Sequence, residues 1–419
     1  MSEIKTVFQI VKEDLVSKTG VQTLTLFSSQ ILALALGMLI GIINTRTFGP
    51  IGYGVLAFFT TFTGFTVIFF RFGLASSICL MLVKTKEIEK EKELIGAAVV
   101  IAFFVGITYS LFTFISSFFV DDIFHTNVGW ILRYVSVLVV ALPFTLFIPQ
   151  IGSGINNINL LSIFNIIPNM IYLLGALILL NLIQIEPFYF ILLNLLSTLF
   201  SLLILIYGLH PKLTNLYENM REILKHTKEY GFNLYLGQIA DQSTYKLNGI
   251  FISLFVNTTQ LGFFSLAMAT TSPMIGLSYA LSTSLFKDSV YLNRIPKKAI
   301  LYNLIWLVLC VSGLIIFGSY IIAILFGEEF LPASRLIVPL VLAGFFQGMY
   351  QPYLSFLTPK TSSKILRNFS FFGAFVNLSL NIFLIPSYGA YGAALASMIS
   401  MLSWYILLFR QYKKYCSNG

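Results

Sequence analysis

At 419 residues the chain is long enough for two or three soluble domains, but its composition excludes them. Charged residues make up 10% of the chain, AVILMFWYC residues make up 57%, and the mean hydropathy is +0.86. Soluble domains carry roughly 25% charged residues, so this chain cannot supply a water-soluble surface. Despite the net charge of +9, the composition excludes most soluble enzymes, secreted disulfide scaffolds and nucleic-acid-binding proteins. It predicts an all-α polytopic membrane protein.

Apolar runs separated by polar breaks predict twelve membrane-spanning helices. A bilayer crossing takes about 20 apolar residues, and each run reaches about this length. Residues 1–20 place apolar side chains at helical spacing and predict an interfacial segment ahead of the first span. Apolar character continues from Ile51 almost to Val83, so the second span is expected to be long, bent or followed by an interfacial turn. The spans are predicted at 21–43, 52–72, 94–119, 128–150, 158–180, 187–208, 232–256, 261–284, 299–325, 333–356, 365–385 and 390–409.

The lysines and arginines in the loops and at the loop ends of the spans predict how the chain is oriented in the membrane. Sorting them by alternate loops places twenty-one on one side and only Arg46 on the other. Cytoplasmic loops of membrane proteins are enriched in these residues, so both termini are predicted to be cytoplasmic. The net positive charge is then mainly a consequence of topology, and no nucleic-acid partner is expected.

Residues 209–230 divide the predicted helices into two lobes of six. Residues 21–208 are predicted to form the N-terminal lobe, residues 231–410 the C-terminal lobe, and residues 411–419 a cytoplasmic tail. The linker is predicted to form an amphipathic helix with Pro211 in its first turn. The lobes also show a trace of duplication, because IGYGVLAFFTTF from Ile51 and LGFFSLAMATTS from Leu261 agree at five of twelve positions. Such repeats are common in transporters.

Three passages resemble a known family. They are NTRTFGPIGYGVLAFF from Asn44, DQSTYKLNGIFISLFVNTTQLGFFSLA from Asp241 and NLSLNIFLIPSYGAYGAALASMIS from Asn377. Together they resemble the Wzx-type polysaccharide flippases of the multidrug/oligosaccharidyl-lipid/polysaccharide (MOP) exporter superfamily. Most of these residues are interpreted as structural: Pro386 is expected to end helix 11, and Gly389 is expected to allow a tight reversal.

The resemblance implies a MATE-like exporter fold and a transport function. The implied activity is translocation of undecaprenyl-pyrophosphate-linked oligosaccharide, such as an O-antigen, capsule or exopolysaccharide repeat unit, from the cytoplasmic to the outer leaflet by alternating access. The implied location is the bacterial cytoplasmic (inner) membrane. Besides this lipid-linked substrate and the bilayer, a polysaccharide polymerase and glycosyltransferases are candidate partners. No cofactor is expected, and transport is expected to be coupled to a proton or sodium gradient.

Charged residues inside the predicted spans are the candidate site residues. A charge at a helix centre costs roughly 2.5–3.5 kcal/mol, so such residues persist where they meet water, a partner or a ligand. Counting the membrane interior alone, without the cytoplasmic end of the span at 365–385, gives four cations and one acid, and this surplus suits a pyrophosphate. On helix 7, polar residues recur at steps of three and four and predict a cavity-lining stripe. The predicted substrate-binding residues are Arg71, Arg133, Lys246, Arg335, Gln238, Gln242 and Tyr245, and the predicted coupling residue is Asp241.

Other roles for these charges remain open. Arg133 and Arg335 can extend to the outer surface, and Arg71 can anchor the cytoplasmic end of helix 2. Asp241 and Lys246 can form a structural ion pair. Further polar stripes are predicted at Thr60, Thr63, Gly64 and Arg71 on helix 2 and at Gln22, Thr25 and Ser29 on helix 1.

Two alternative functions also remain. One is a cation-coupled multidrug exporter of the same superfamily, for which an acidic cavity would suit cationic substrates. The other is a membrane polysaccharide polymerase or glycosyltransferase, which would need catalytic groups in a sizeable outer loop. The surplus of interior cations disfavours the exporter, and the short predicted outer loops disfavour the enzyme.

Overall fold

The structure is a computed structural model that describes residues 18–181, 186–289, 292–361 and 363–418. The predicted interfacial segment at 1–20 therefore lies almost entirely outside the described residues. All regular secondary structure in the described ranges is helical, with no strand. Fifteen α-helices are α1 (Lys18–Thr66), α2 (Leu74–Lys84), α3 (Ile88–Ser116), α4 (Val120–Phe124), α5 (Gly129–Val135), α6 (Ala141–Gly154), α7 (Ile158–Leu179), α8 (Pro187–Gly208), α9 (Leu216–His226), α10 (Phe232–Phe255), α11 (Thr258–Thr271), α12 (Gly276–Ser289), α13 (Lys297–Phe326), α14 (Ser334–Leu357) and α15 (Ser363–Asn418).

The all-helical membrane fold predicted from the sequence is confirmed. Among the described residues, eight helices are long and apolar enough to cross a membrane, or nine when one bent pair is counted as a span. Two of these segments, Thr25–Phe70 and Ile365–Ser417, are 46 and 53 residues long, and each contains a break. Every predicted span lies mainly on helical residues. The number of crossings, twelve, stays a prediction.

Glycines make the breaks within the two longest helices. Gly49 in α1 has φ 60° and Gly389 in α15 has φ 58°, in the left-handed region that glycine adopts without strain. The expected reversal at Gly389 is therefore present. The expectation that Pro386 ends its helix is wrong, because Pro386 lies inside α15. A proline φ near −65° is compatible with a helix, whereas the positive φ three residues later is not.

The predicted span at 128–150 is not one straight helix. The structure replaces it with α5, a 3₁₀ turn at Leu138–Val140, and α6, with a bend of 70°. At the break, the Ser136 hydroxyl donates to the carbonyl oxygen of Arg133 at 2.7 Å. The hydroxyl of Ser136 thus bonds the backbone of its own helix at the interruption.

The linker helix begins later than predicted. It starts at Leu216 rather than at Pro211, because Asn215 adopts φ 51° and interrupts the turn before it. Glu93 of α3 accepts hydrogen bonds from Thr214 Oγ1 at 2.8 Å and from Asn215 Nδ2 at 3.0 Å. Lys90 lies 3.1 Å from the Glu222 carboxylate. These contacts attach the linker to the start of α3.

The described chain divides into two compact units. The first contains Met1–Ile43, Phe69–Phe118 and Trp130–Tyr235, of which the residues from 18 onward are described. Its core is an apolar cluster from α2, α3, α6 and α8, which includes the fully buried Ala98 and Ile148. The linker helix α9 joins this core through Ile223, which is also fully buried.

The second unit contains Asn44–Ile68, Phe119–Gly129 and Leu236–Gly419. Its largest aromatic cluster joins α14 to α15: the ring of Tyr353 lies 5.6 Å from that of Phe409 and 5.1 Å from that of Tyr412, between centroids. Packing of this kind contributes about 0.5–1.5 kcal/mol for each ring pair beyond burial. The predicted lobes at 21–208 and 231–410 are divisions along the chain and stay a prediction.

The orientation leads to a direct prediction. A single cysteine placed at Lys90 or Lys297 should react with a membrane-impermeant maleimide only after the membrane is opened, because both positions are predicted to be cytoplasmic. A cysteine at Asp122 or Glu329 should react in intact cells. The native Cys79, Cys310 and Cys416 are free thiols, so they are replaced by serine beforehand. Reaction of Lys90→Cys in intact cells would overturn the predicted topology.

Candidate functional site

The structure places the predicted site residues in both units. Arg71 and Arg133 belong to the first unit, and Lys246 and Arg335 belong to the second. The remaining four positions lie on the backbone of α10, but their side chains are outside the described residues, so their contacts and the Asp241–Lys246 ion pair stay predictions. These four are Gln238, Asp241, Gln242 and Tyr245.

Arg71 lies in the break between the 3₁₀ turn Val67–Phe70 and α2. Aromatic contacts hold both of its neighbours: the Phe70 ring lies 5.1 Å from that of Tyr109, and the Phe72 ring lies 6.2 Å from that of Tyr235. The Tyr235 hydroxyl also donates to the carbonyl oxygen of Phe69 at 2.7 Å. The bent second span that the sequence suggested is therefore present, and aromatic side chains fix its bend.

The guanidinium of Arg71 is half-buried and incompletely paired. Its Nε is buried and has no hydrogen-bond partner among the described residues. No described carboxylate lies within ion-pair distance of it. Leaving a buried donor unpaired costs about 1–3 kcal/mol, more for a charged group, so such a group is expected where a ligand completes it. An anion with several oxygen acceptors fits this position.

Arg133 and Arg335 lie in different surroundings from Arg71. Both are exposed. The guanidinium carbon of Arg133 lies 4.1 Å from the centroid of the Phe118 ring, which is a cation–π contact. Arg335 lies in the first turn of α14. For Arg133, stacking on an aromatic ring accounts for its position without a ligand, and the assignment of both residues to the substrate path stays a prediction.

Lys246 packs over a glycine in the second unit. Its Nζ lies 3.2 Å from the point that a Cβ at Gly64 would occupy. Thr63, the neighbour of Gly64 in the same predicted stripe, is buried, and its hydroxyl donates to the carbonyl oxygen of Phe59 at 2.7 Å. The stripe on this part of α1 therefore has two roles, because Thr63 bonds its own helix while Gly64 leaves room for an ammonium group.

The duplicated passages meet within the second unit. Tyr53 and Phe263 are equivalent positions of the two repeats, and both rings pack edge-on against Phe330, with centroid distances of 5.7 Å and 6.0 Å. A Cβ at Gly262 would lie 3.2 Å from the Cα of Gly54. The repeat signal thus marks a close helix crossing, where side chains larger than hydrogen at these two glycines would force the backbones apart.

Sequence reasoning missed a buried amide network. Asn381 of α15 donates through Nδ2 to Asn377 Oδ1 at 2.8 Å and to Asn248 Oδ1 at 2.6 Å. Asn248 of α10 donates in turn to Ser397 Oγ at 2.7 Å. All four residues are buried. The spacing of four between Asn377 and Asn381 places both on one helix face and was the available signal. The network ties α10 to both arms of α15.

Asn381→Leu should destabilise the protein strongly. The change leaves two buried amide oxygens, those of Asn248 and Asn377, without their donor, at about 1–3 kcal/mol each. We expect the melting temperature of the purified protein in nanodiscs to fall by about 4 °C or more. Asn368→Leu is the matched control, because Asn368 is exposed on the same helix. Equal melting temperatures for the two variants would contradict a stabilising role for the network.

The helical arrangement matches solved membrane transporters along nearly the whole chain. The lipid II flippase MurJ, in an inward closed conformation, shares 16% identity at a TM-score of 0.72, with 95% of this chain and 90% of that one covered. An inward-facing multidrug resistance MATE transporter of the MOP superfamily shares 13% identity at a TM-score of 0.73, with 94% and 98% covered. A MOP-superfamily transporter from Pyrococcus furiosus shares 13% identity at 0.62, with 94% and 95% covered. The fold is therefore that of the MOP-superfamily transporters.

Sequence similarity then gives the family. A family model described as polysaccharide biosynthesis protein matches residues 20–286, which is more than half of the chain. The chain belongs to this family of polysaccharide biosynthesis proteins. No curated protein sequence matches it significantly. The link to polysaccharide biosynthesis inferred from the sequence is confirmed by this match, and the expected exporter fold is confirmed by the solved structures.

Proposed function

We propose that the protein is a flippase that moves undecaprenyl-pyrophosphate-linked oligosaccharide from the cytoplasmic to the outer leaflet. The family places the chain in polysaccharide biosynthesis, and the fold is one that membrane transporters use. The observation that carries the proposal is Arg71, a half-buried guanidinium whose Nε has no protein partner among the described residues. A diphosphate supplies the oxygen acceptors that this group lacks.

The chemistry of the proposed site is binding and release rather than catalysis. A guanidinium matches two phosphate oxygens with two parallel N–H donors, and partial burial strengthens the interaction relative to water. Lys246, whose ammonium packs over Gly64 in the second unit, is proposed separately as a substrate-binding cation. Translocation then follows from alternating access, in which the headgroup stabilises each of two conformations in turn. Coupling to a proton or sodium gradient, with Asp241 as the coupling residue, is part of the proposal.

The alternative with a specific observation behind it is the multidrug exporter. The TM-score of 0.73 to the MATE transporter is close to that of 0.72 to MurJ, so the fold does not separate the two functions. The charge balance of the predicted spans separates the flippase from the multidrug exporter. The predicted membrane interior contains four cations and one acid, and a cationic drug would be repelled by that surplus.

Deletion of the gene in its host tests the proposal. We expect the deletion strain to accumulate lipid-linked oligosaccharide on the inner leaflet of the cytoplasmic membrane, and we expect the wild-type gene to reverse this. The accumulated glycan also identifies the substrate and the polymerase and glycosyltransferases that act with the protein. Normal export of polysaccharide together with increased sensitivity to cationic drugs would favour the exporter instead.

A further inference from the structure

The first unit contains a pocket whose wall includes none of the charged candidate residues. Its volume is about 330 Å³, near the lower end of the range for small-molecule sites, and it lies among α1, α6, α7 and α8. No acidic or basic side chain lines it. The polar residues of its wall come from three helices and are all neutral: Thr145, Asn165, Asn169, Thr198 and Ser201.

The hydroxyl groups of the residues that line this pocket are available as acceptors. Thr145 donates its proton to the Leu142 carbonyl at 2.6 Å, and Thr198 donates to the Asn194 carbonyl at 2.9 Å. Ser201 donates to the carbonyl of Ser197, also at 2.6 Å. Because each hydroxyl proton is committed to its own helix, the lone pairs of the oxygen are what each group offers to a ligand.

The amides of α7 add donors as well as acceptors. Asn165 donates to Ser29 Oγ at 3.4 Å and Asn169 donates to the Asn165 carbonyl at 3.2 Å, which uses one N–H of each amide. A carboxamide carries a second N–H and a carbonyl oxygen. Ser29 belongs to the polar stripe predicted on helix 1, so that stripe supports this wall.

Pro168 leaves the carbonyl oxygen of Phe164 available as a further acceptor. A proline has no backbone N–H, so Pro168 cannot form the helical hydrogen bond to the carbonyl of Phe164, four residues earlier. Both residues line the pocket, and the Phe164 ring gives the wall an apolar surface. The pocket thus combines several oxygen acceptors, two amides and an apolar face, without a charge.

We propose that this pocket is a subsite for an uncharged, polyhydroxylated group about the size of one sugar unit, and so for part of the glycan of the transported lipid. This inference rests on the proposed function. Sugar hydroxyls supply the donors that the Thr, Ser and Phe164 oxygens require, and their oxygens accept from the amides of Asn165 and Asn169. A pyrophosphate is disfavoured because the wall offers it no cation, and a cationic drug because the wall offers it no acid. Lipid tails would leave the second N–H of each amide without an acceptor.

Binding of two probes to the purified full chain in nanodiscs tests the subsite. One probe is the lipid-linked oligosaccharide extracted from the deletion strain, and the other is farnesyl pyrophosphate, which carries the diphosphate and no sugar. We expect Asn169→Leu and Thr198→Val each to raise the Kd of the glycan-bearing lipid about tenfold through lost hydrogen bonds and to leave that of farnesyl pyrophosphate unchanged. Asn194→Leu, on an exposed position of α8, should change neither Kd.

The outcomes separate the subsite from the function on which it rests. Failure of the wild-type protein to bind the extracted lipid would overturn the proposed function and the subsite with it. Binding by the wild type that both variants retain in full would overturn the subsite alone. A loss of affinity for both probes would also overturn it, because the pocket is assigned to the sugar and not to the diphosphate. Thr198→Val is nearly isosteric, so it tests the subsite even where Asn169→Leu does not fold.

Discussion

Arg71→Ala should reduce the rate of flipping by about ten- to a hundredfold, because a hydrogen bond to a charged group contributes about 1.5–3 kcal/mol. Arg71→Lys should retain more activity, since an ammonium keeps the charge but not the two parallel donors of the guanidinium. The measurement is the rate at which purified protein in proteoliposomes moves the lipid-linked oligosaccharide between leaflets. The half-buried position of Arg71 and its unpaired Nε make it the cation for which the structure provides the most direct support.

Controls for Arg71 must separate ligand binding from folding. Arg367→Ala removes an exposed arginine from α15 and should leave the rate unchanged. Melting temperatures of both Arg71 variants should stay close to that of the wild type, because no described ion pair is lost. Near-wild-type flipping by both Arg71→Ala and Arg71→Lys, at matched amounts of protein, would exclude a ligand role for this residue.

Asp241→Asn should abolish the stimulation of flipping by an imposed proton gradient. Asp241 is the only acidic residue that the sequence places inside a predicted span, and an amide cannot carry a proton between the two sides. Substrate binding should persist or become tighter, because a carboxylate that competes with the anionic headgroup for the same cations is removed. The experiment compares initial flipping rates with and without the gradient, and a sodium gradient is tested in parallel.

Asp122→Asn is the matched control for Asp241. Asp122 is exposed on α4, so its substitution should leave the response to the gradient intact. A folded Asp241→Asn protein whose flipping still rises normally with the gradient would show that another group carries the coupling ion. The prediction depends on the sequence alone, since the Asp241 side chain lies outside the described residues.

Helices could be predicted here because membrane crossing imposes long apolar runs, and polar breaks separate those runs in the sequence. The interruption at Ser136 could not be predicted in the same way. Ser136 lies in an apolar run, and nothing in that run indicates that the helix is interrupted there. The exact position of the break near Gly389 could not be predicted either. The sequence offers both Pro386 and Gly389 as residues that could end the helix, and the backbone φ shows that the break is at Gly389.

In the candidate site, the sequence identifies individual residues but not their contacts with residues distant in sequence. Charges inside predicted spans identified Arg71, but the aromatic contacts that hold its neighbours involve Tyr109 and Tyr235, which are distant in sequence. The amide network and the neutral pocket also depend on contacts between helices that are distant in sequence. Asn377 and Asn381 share a helix face that the sequence shows, whereas their link to Asn248 exists only after the helices pack.

The most direct measurement of the central claim uses proteoliposomes that contain the purified protein and the extracted lipid-linked oligosaccharide in both leaflets. A glycosidase added outside digests only glycan in the outer leaflet. If the protein is a flippase for this lipid, digestion should proceed beyond the outer-leaflet share found in protein-free liposomes and approach completion, and Arg71→Ala should slow it. Digestion that stops at the same fraction with and without the wild-type protein would contradict the account.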